Sequence, residues 1–206
     1  MNRSVVVAMT GLILFPFGLF AQSEMTAESP LGEVSVSCRA EDSRDYSDQG
    51  TKDGLYVSKK YGFVISYPRG AGWELNESPK IPDMHYEVPV FILSTQIIDG
   101  FRAHASVFVA RLEEDMPMSA YMETSLQYLR KSGRTIVASK IDEATAGGFI
   151  ESIGKEQGKE ISTIQRLGIR NRTAYIVTAN LLPGDATSAK TKKDLGDILN
   201  SFTILR

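Results

Sequence analysis

Cysteine is almost absent from this chain. Cys38 is the only one among 206 residues, so no disulfide can form within the molecule and the fold must rest on its hydrophobic core. An excess of charge of one sign is missing too, because 23 Lys and Arg residues face 25 Asp and Glu residues. The resulting net charge of -2 provides no field that would recruit nucleic acid or an acidic membrane. We therefore expect no nucleic-acid partner.

The motifs that mark common enzymes and cofactor sites are missing as well. The chain contains no G-x-S-x-G, no Walker loop, no H-E-x-x-H and no C-x-x-C. Ser152 to Lys155 spell S-x-x-K, but this pattern opens a helix in penicillin-recognising enzymes and here ends a predicted strand, so we interpret it as a chance match. Glu113, Glu114 and Asp115 could bind a cation, although three consecutive acids at a strand end point in different directions and more often form a solvated edge. We predict no catalytic residue, no metal and no cofactor.

An apolar run near the amino end has the order of a Sec-type signal peptide. Arg3 is followed by mostly apolar residues from 5 to 20, and Ala21 supplies a small residue at a cleavage point. A membrane anchor is the alternative, since the run is long for a signal peptide, but a spanning helix needs about 20 apolar residues. A proline and a glycine near the end of the run favour cleavage of residues 1–21. We therefore expect a periplasmic or secreted protein that does not span a membrane.

Residues 22–54 are polar and acidic. They carry eight acidic and three basic side chains, a net charge of -5. Such a segment buries too little apolar surface to offset the entropy lost on ordering, so we predict a flexible acidic leader. Cys38 lies within it, either as an inert thiol or as a link to another chain.

The remaining residues, 55–206, fit one globular domain, and 42% apolar with 23% charged residues is a composition typical of one. Alternation of apolar and polar side chains with a period of two dominates this part and predicts strands. Asp99-Gly100 separates two such segments and favours the positive φ angles of a type I′ hairpin turn. The predicted strands are 55–58, 63–67, 88–98, 103–112, 134–141, 148–154, 159–169 and 173–182.

Two segments show helical spacing of apolar residues. The first places Met118, Tyr121, Met122, Ser125 and Leu129 on one face. Gly133 follows it, as glycine commonly does after the last turn of a helix. The second repeats Leu195, Ile198, Leu199 and Phe202, with Asp185 or Thr187 available as N-cap. Mostly antiparallel strands with a few helices packed on them predict an α+β fold.

Residues 62–68 read Gly-Phe-Val-Ile-Ser-Tyr-Pro, and Trp73 follows shortly after. This segment resembles the opening motif of the PsbP-like superfamily, in which a hairpin reading about G-F-x-hydrophobic-x-Y-P precedes a tryptophan. The later elements occur in the order that the superfamily uses, including a strand at 174–178 and a closing segment at 201–204. Residues 70–72 depart from the pattern, because they lengthen the link between the motif and the tryptophan.

The resemblance implies that residues 55–206 form a central antiparallel sheet flanked by helices, an α/β/α sandwich. Members of the superfamily include an extrinsic subunit of the oxygen-evolving complex of photosystem II, an import factor that binds the Ran GTPase, and exported bacterial proteins of unknown role. They share a fold and not a partner, so the resemblance implies binding or assembly without chemistry of its own. Phe63, Ile65 and Trp73 of the motif are expected in the core.

The two histidines are too far apart in the predicted hairpin to share a metal. A two-residue turn at Asp99-Gly100 would place His104 opposite Thr95 and His85 opposite Glu114. The ten-residue offset corresponds to roughly 33 Å along the strands. His85 and Glu114 would then form an ordinary surface ion pair, or His85 would belong to a binding patch.

Two patches are candidates for contact with a partner. One combines an imidazole, a phenol and a guanidinium near the predicted hairpin, and the other is a lysine cluster at the start of the second helix. The lysines gain nothing from the helix dipole there, so they mark an acidic partner or simply a solvated helix face. The candidate residues are His85, Tyr86, Arg102, Lys190, Lys192 and Lys193.

These observations favour an exported, non-enzymatic adaptor that docks on another protein or on a component of the cell envelope. A periplasmic carrier of a small molecule or lipid is the alternative, and it would need a deep apolar pocket between sheet and helix. A hydrolase ranks third, because the chain has none of the motifs that such enzymes usually show.

Overall fold

A computed structural model describes the protein at residues 50–52, 54–77, 87–142 and 144–205. The strands in these ranges are β1 (Gly50–Lys52), β2 (Leu55–Ser58), β3 (Phe63–Ser66), β4 (Trp73–Glu77), β5 (Glu87–Ile98), β6 (Phe101–Arg111), β7 (Thr135–Asp142), β8 (Gly147–Glu156), β9 (Lys159–Arg170), β10 (Thr173–Leu181) and β11 (Thr203–Ile204). The helices are α1 (Met118–Lys131) and α2 (Ala189–Ser201). The predicted signal peptide, the predicted leader up to residue 49, His85 and Tyr86 lie outside the described residues.

Two-residue turns join the long strands. Asp99 and Gly100 have φ angles of 49° and 73°, which is the type I′ geometry predicted for this dipeptide. The turns between β8 and β9 and between β9 and β10 have the same pattern, with positive φ at residues 157 and 158 and at residues 171 and 172. The three turns make β5–β6, β8–β9 and β9–β10 antiparallel hairpins.

The β5–β6 hairpin does not keep one register along its length. Next to the turn Ile98 pairs with Phe101, as predicted, but a register shift between Leu93 and Ile97 places His104 opposite Leu93. The predicted pairing of His104 with Thr95 is therefore wrong. A β-bulge inserts extra residues in β5 and moves every later partner along β6.

Seven strands form the large sheet, in the order β4-β5-β6-β10-β9-β8-β7. Every neighbouring pair is antiparallel, so this is the central antiparallel sheet predicted from the sequence. A second sheet has the order β1-β2-β3-β11 and was not predicted. Its last strand comes from a distant part of the chain, and pairing between distant segments leaves no local pattern in a sequence.

The small sheet and α2 cover one face of the large sheet. Phe63 lies at the centre of this layer with no exposed surface, and its ring centroid is 5.5 Å from that of Phe202 after α2. Trp73 donates a hydrogen bond of 2.9 Å from Nε1 to Asp194 of α2, which ties the helix to the edge strand β4. The predicted core residues Phe63, Ile65 and Trp73 are all buried.

Helix α1 packs on the opposite face, against β7 and β8. Its buried residues are those predicted from helical spacing, namely Met118, Tyr121, Met122, Ser125 and Leu129. The helix closes with Gly133 at a φ of 80°, while the Arg134 amide donates to the Leu129 carbonyl at 3.0 Å in a Schellman arrangement. Because α1 and α2 lie on opposite faces, the predicted sheet flanked by helices is confirmed.

The N-cap of α2 differs from the prediction. Ser188, and not Asp185 or Thr187, precedes the helix, and its Oγ accepts a hydrogen bond of 3.2 Å from the Thr191 amide. The Thr187 hydroxyl instead donates to the Leu182 carbonyl at 2.8 Å. The threonine is thus engaged by the preceding turn and is not available to the helix.

Gly54→Ala should destabilise the fold more than Gly133→Ala. Both glycines have positive φ, 78° and 80°, so a side chain at either position costs roughly 1–2 kcal/mol. At Gly54 the new Cβ would also lie 2.4 Å from the Tyr67 carbonyl oxygen, whereas nothing lies within 4 Å at Gly133. Urea unfolding of the two variants measures the difference, and equal losses of unfolding free energy would contradict the packing described at Gly54.

Candidate functional site on the open face of the large sheet

Two rows of paired residues cross the large sheet on the side of α1. The first row contains Glu74, Leu93, His104, Asn180 and Thr163. The second row contains Asn76, Phe91, Ser106, Thr178 and Gln165. Paired residues on neighbouring strands point to the same face, and among the described residues neither helix packs on β4 or β5 from this side. We call the part of this side that lies on β4 and β5, together with Ile97 and Arg102 next to it, the open face.

Apolar side chains reach solvent at the β5 end of the open face. Phe91 and Leu93 are partly exposed, and Ile97, beyond the bulge, has 64% of its surface exposed. Beside them Arg102 and Glu74 form an ion pair of 2.8 Å. Exposed apolar groups next to polar ones are typical of a contact surface.

A chain of hydrogen bonds runs along the first row. The guanidinium of Arg134 donates to the Thr163 hydroxyl, and Thr163 is 2.6 Å from the Asn180 amide oxygen. Asn180 Nδ2 is 3.0 Å from His104 Nε2, and His104 Nδ1 is 2.9 Å from the carbonyl oxygen of Arg102. Four side chains from β6, β9, β10 and the loop before β7 are thereby joined across the sheet.

The hydrogen bond that Thr163 donates to the Asn180 oxygen sets the order of donors and acceptors in this chain. Arg134 can only donate, so the Thr163 hydroxyl accepts from it and gives its own proton to the Asn180 oxygen. Asn180 then presents its NH₂ group to His104 Nε2, which must accept. The proton of the imidazole is left on Nδ1, where it is donated to the backbone carbonyl. This order requires a neutral His104.

Burial also favours a neutral imidazole. Desolvation lowers the pKa of His104 below its usual value, although the backbone carbonyl of Arg102 and the charge of Glu156 act in the opposite direction. Both ring nitrogens have partners, so neither is free to take a proton from a nucleophile. The first row is therefore suited to holding a surface in place and not to acid–base catalysis.

Arg134 is the anchor of the first row. Its side chain is buried and donates to Ser152 at 3.1 Å, to Glu156 at 3.0 Å and to the Ile161 carbonyl at 3.2 Å. Burial lowers its pKa and the nearby Glu156 carboxylate raises it, and a guanidinium remains charged in either case. Ser152 of the S-x-x-K sequence thus lies inside β8 and accepts a structural hydrogen bond, in agreement with its interpretation as a chance match.

The second row contains two buried hydroxyl groups without hydrogen-bond partners. Ser106 and Thr178 face each other across β6 and β10, with 1% and 5% of their surfaces exposed. Neither Ser106 Oγ nor Thr178 Oγ1 has a hydrogen-bond partner. Buried hydroxyls are normally satisfied, so this pair requires an explanation.

The four described residues that were predicted to contact a partner do not come together in one patch. Arg102 lies on the open face, whereas Lys190, Lys192 and Lys193 lie on α2, across the sheet. Each lysine has a partner within the chain: Lys190 pairs with Asp194 at 2.6 Å, Lys193 pairs with Asp197 at 2.5 Å, and Lys192 donates to the Gly184 carbonyl at 2.6 Å. These contacts favour the alternative of a solvated helix face.

Asp194 links the lysine cluster to the core. Burial by itself would raise the pKa of Asp194, but hydrogen bonds from Lys190 and Trp73 lower it below the usual value of a carboxyl group. The Asp194 carboxylate thus holds α2 against β4 through the hydrogen bond that it accepts from Trp73. A partner would have to displace Lys190 before it could use this charge.

Among the described residues no group of three His, Cys, Asp or Glu side chains is placed to hold a metal ion. Glu113, Glu114 and Asp115 are exposed between β6 and α1. No helix in the described part of the chain has the length and apolar character needed to cross a membrane.

Comparison with known proteins gives structural likeness without sequence likeness. No protein-family model and no curated protein matches the sequence. The chain is similar to cyanobacterial PsbP from Synechocystis sp. PCC 6803, with 11% identity, a TM-score of 0.49, and coverage of 73% of this chain and 91% of that one. It is also similar to LpqN, involved in cell envelope biogenesis of Mycobacterium tuberculosis, with 12% identity, a TM-score of 0.43, and coverage of 69% and 90%.

A protein of unknown function from Pseudomonas aeruginosa, a putative regulator, is similar at 14% identity and a TM-score of 0.39, with 64% of this chain and 83% of that one covered. At such identities the likeness concerns the fold alone. A PsbP structure, the kind of protein that residues 62–73 resemble, is thus among those to which this chain is similar.

The stability of the protein should fall as the pH drops below about 6.5, the ordinary pKa of histidine. The folded state lowers the pKa of His104, so between the folded and the unfolded pKa the unfolded chain binds more protons. This contribution is present above the unfolded pKa and is lost as the pH falls towards the folded one. Urea unfolding from pH 7 to pH 5 measures the slope, and His104→Gln should flatten it. An NMR titration that places the pKa of His104 at or above the ordinary value would contradict the neutral tautomer.

Proposed function

We propose that this chain is an exported, non-enzymatic binding protein that docks on another protein or on an envelope component through the open face. The observation that carries this proposal is a sheet face on which Phe91, Leu93 and Ile97 reach solvent beside an ion pair. Interfaces combine apolar contact area with a polar border in this manner. The open face lies on β4 and β5, at one edge of the seven-stranded sheet, where backbone pairing holds its residues in register.

The polar groups of the first row support binding over catalysis. His104 is neutral and both of its nitrogens have partners, while Thr163 and Asn180 bond each other. A catalytic hydroxyl would need a base within hydrogen-bond reach that is free to accept its proton. The arrangement of this row supplies preorganised geometry, which lowers the entropy cost of binding.

Export is supported by the sequence. The order of charge, apolar run and small residue in residues 1–21 is that of a signal peptide, and the absence of disulfide-forming cysteine pairs is compatible with a core that holds the fold alone. The resemblance of residues 62–73 to the PsbP-like superfamily adds a class of proteins that act by binding. Among the described residues of the predicted partner patches, Arg102 lies on the open face.

A periplasmic carrier remains the second proposal, with less support. The layer between α2 and the large sheet, where a carrier would hold its ligand, is occupied by large buried side chains such as Phe63, Ile65 and Leu195. A carrier would need space in this layer. A hydrolase has the least support, since the first row offers no free base.

Ile97→Lys should weaken capture of the natural partner, because it places a charge in the apolar part of the open face while the exposed position spares the fold. The protein is purified gently from its own envelope fraction, and native mass spectrometry reads what is bound to it. We expect the bound fraction to fall about tenfold, as for loss of one well-placed contact.

The double variant Lys192→Glu, Lys193→Glu serves as the control on the opposite side of the sheet. Its bound fraction should match that of the unaltered chain. Loss of the partner in this control, with retention in Ile97→Lys, would move the docking site to α2 and contradict the use of the open face. A bound small molecule held equally by all three chains would favour the carrier.

A further inference from the structure

Basic side chains gather at the end of the large sheet where β6 and β9 finish and β10 begins. Thr173 pairs with Arg111 on one side and with Arg170 on the other. Paired residues on neighbouring strands share a face, so the two arginines lie in one row on the side of the small sheet. Arg172 lies beside them in the turn between β9 and β10.

The turn between β2 and β3 brings two lysines to the same place. Lys59 and Lys60 are exposed in this turn, and the carbonyl of Tyr61 next to them accepts a hydrogen bond of 2.7 Å from the Tyr175 hydroxyl. Tyr175 lies close to the arginine row, because burial raises its pKa while the charge of Arg170 acts in the opposite direction. The lysines and the arginines thus form one surface. We call it the basic end, and its members are Lys59, Lys60, Arg111, Arg170 and Arg172.

The acids around the basic end do not balance its charge. Glu87 pairs with Lys60 at 2.5 Å, so five cations minus one anion leave a net charge of +4. Glu77 lies at the border, where it raises the pKa of Tyr56 further than burial alone. The acids at 113–115 belong to the link that crosses to α1 on the opposite face.

Arg172 occupies a turn position that favours glycine. Its φ is 57°, in the left-handed region that is unfavourable for a residue with a side chain. The other two hairpin turns have Gly100 and Gly158 at the second position, as a type I′ turn prefers. Within the described ranges the Arg172 guanidinium joins no ion pair. The turn gains nothing from this side chain, so the backbone strain points to a use for its charge.

The predicted acidic leader meets the fold at the basic end. β1 begins at Gly50, which pairs with Val57, and Val57 lies two residues before Lys59. Continued by two residues in the same register, the chain would place Asp48 opposite Lys59. Residues 41–48 contain four acidic side chains and one basic one, a net charge of -3.

Residues 41–48 are long enough to cover the basic end. The small sheet has the order β1-β2-β3-β11, so three strand spacings, roughly 14 Å, separate β1 from β11. Arg170 lies on the β11 side, where it donates to the Leu205 carbonyl at 2.7 Å. Eight extended residues span about 27 Å. Exposed ion pairs are weak one by one, but a short tether holds the acids at an effective concentration on the order of millimolar.

We propose that residues 41–48 of the acidic leader dock on the basic end, with Asp48 next to Lys59. The acids before Asp48 then lie within reach of Arg111 and Arg172. This proposal concerns a surface away from the open face and does not rest on the function proposed for that face. An acidic protein or an anionic surface outside the chain would have to displace the leader before it could bind the basic end.

Cys38 allows a direct test, because it is the only cysteine of the chain and lies three residues before Glu41. A nitroxide attached to Cys38 in the chain without its predicted signal peptide broadens the NMR amide signals of nearby residues. We expect broadening at residues 170–173 and none at Gly100, which lies roughly 35 Å away along β6. Absence of broadening at residues 170–173 overturns the proposal.

Salt separates docking from mere attachment at Gly50. At about 1 M salt the Debye length is about 3 Å, so charge contacts weaken while the covalent connection stays. We expect the broadening at residues 170–173 to fall about twofold or more, since each exposed pair is weak. The same broadening at low and high salt would exclude docking by charge.

Arg172→Gly removes one charge of the basic end and should reduce the broadening about twofold. The fold should persist, because glycine suits this turn position. Gln157→Gly is the matched control: Gln157 has a φ of 51° in the turn at the opposite end of β9, so the change relieves similar strain without removing a charge. It should leave the broadening as it is. Equal effects of the two variants would contradict a role for the Arg172 charge.

The double variant Asp45→Asn, Asp48→Asn tests the leader itself. It should reduce the broadening as Arg172→Gly does, and the combination of both changes should have less than the summed effect, as expected for groups that interact. A loss with Arg172→Gly and none with the leader variant excludes the leader as the occupant. The basic end would then serve an acidic partner outside the chain, and the proposal falls.

Discussion

Helix α1 is much narrower than the seven-stranded sheet on which it packs. This difference in width determines which side chains the sheet carries on that side. Seven strands at 4.7–4.9 Å spacing span roughly 30 Å, whereas a helix with its side chains is about 10 Å wide. On the other side α2 and the small sheet together provide enough cover, and Phe63 and Trp73 are buried there. On its own side α1 packs on β7 and β8 and in one apolar cluster with Leu167 of β9 and Ala174 of β10. The two rows that begin at Glu74 and Asn76 carry mostly polar residues where a covered sheet would carry apolar ones.

The first row shows how such a surface is made rigid. A buried guanidinium in a sheet is costly unless all its donors are used. Arg134 uses them on Ser152, Glu156, Thr163 and the Ile161 carbonyl. Gly154 leaves space for it, since a Cβ there would lie 2.9 Å from Arg134 Cγ. Each hydrogen bond orients the next donor or acceptor. The buried charge of Arg134 therefore influences the position of the proton on His104, which lies on a distant strand.

Features of the fold that depend on neighbouring residues were predictable from the sequence. Features that depend on contacts between distant segments were not. Asp99-Gly100 and the apolar spacing of α1 act within a few residues, and both predictions are confirmed. The bulge in β5 has no such signal, so His104 was assigned the wrong partner. Arg134 was read only as the start of a strand, because its four acceptors come from β8 and β9 and are brought to it by folding. For the same reason the sequence offered no sign that Ser106 and Thr178 would meet, and only Arg102 of the open face was among the predicted contact residues.

The pairing of β11 with β3 has a consequence for the order in which the molecule can be assembled. Phe63 of β3 is covered by Phe202, and β11 completes the small sheet. A chain delivered residue by residue from its amino end therefore cannot close its first core until residues 189–204 have arrived. Until then Phe63 and one edge of β3 stay uncovered, and an incomplete core with an unpaired strand edge is prone to aggregation.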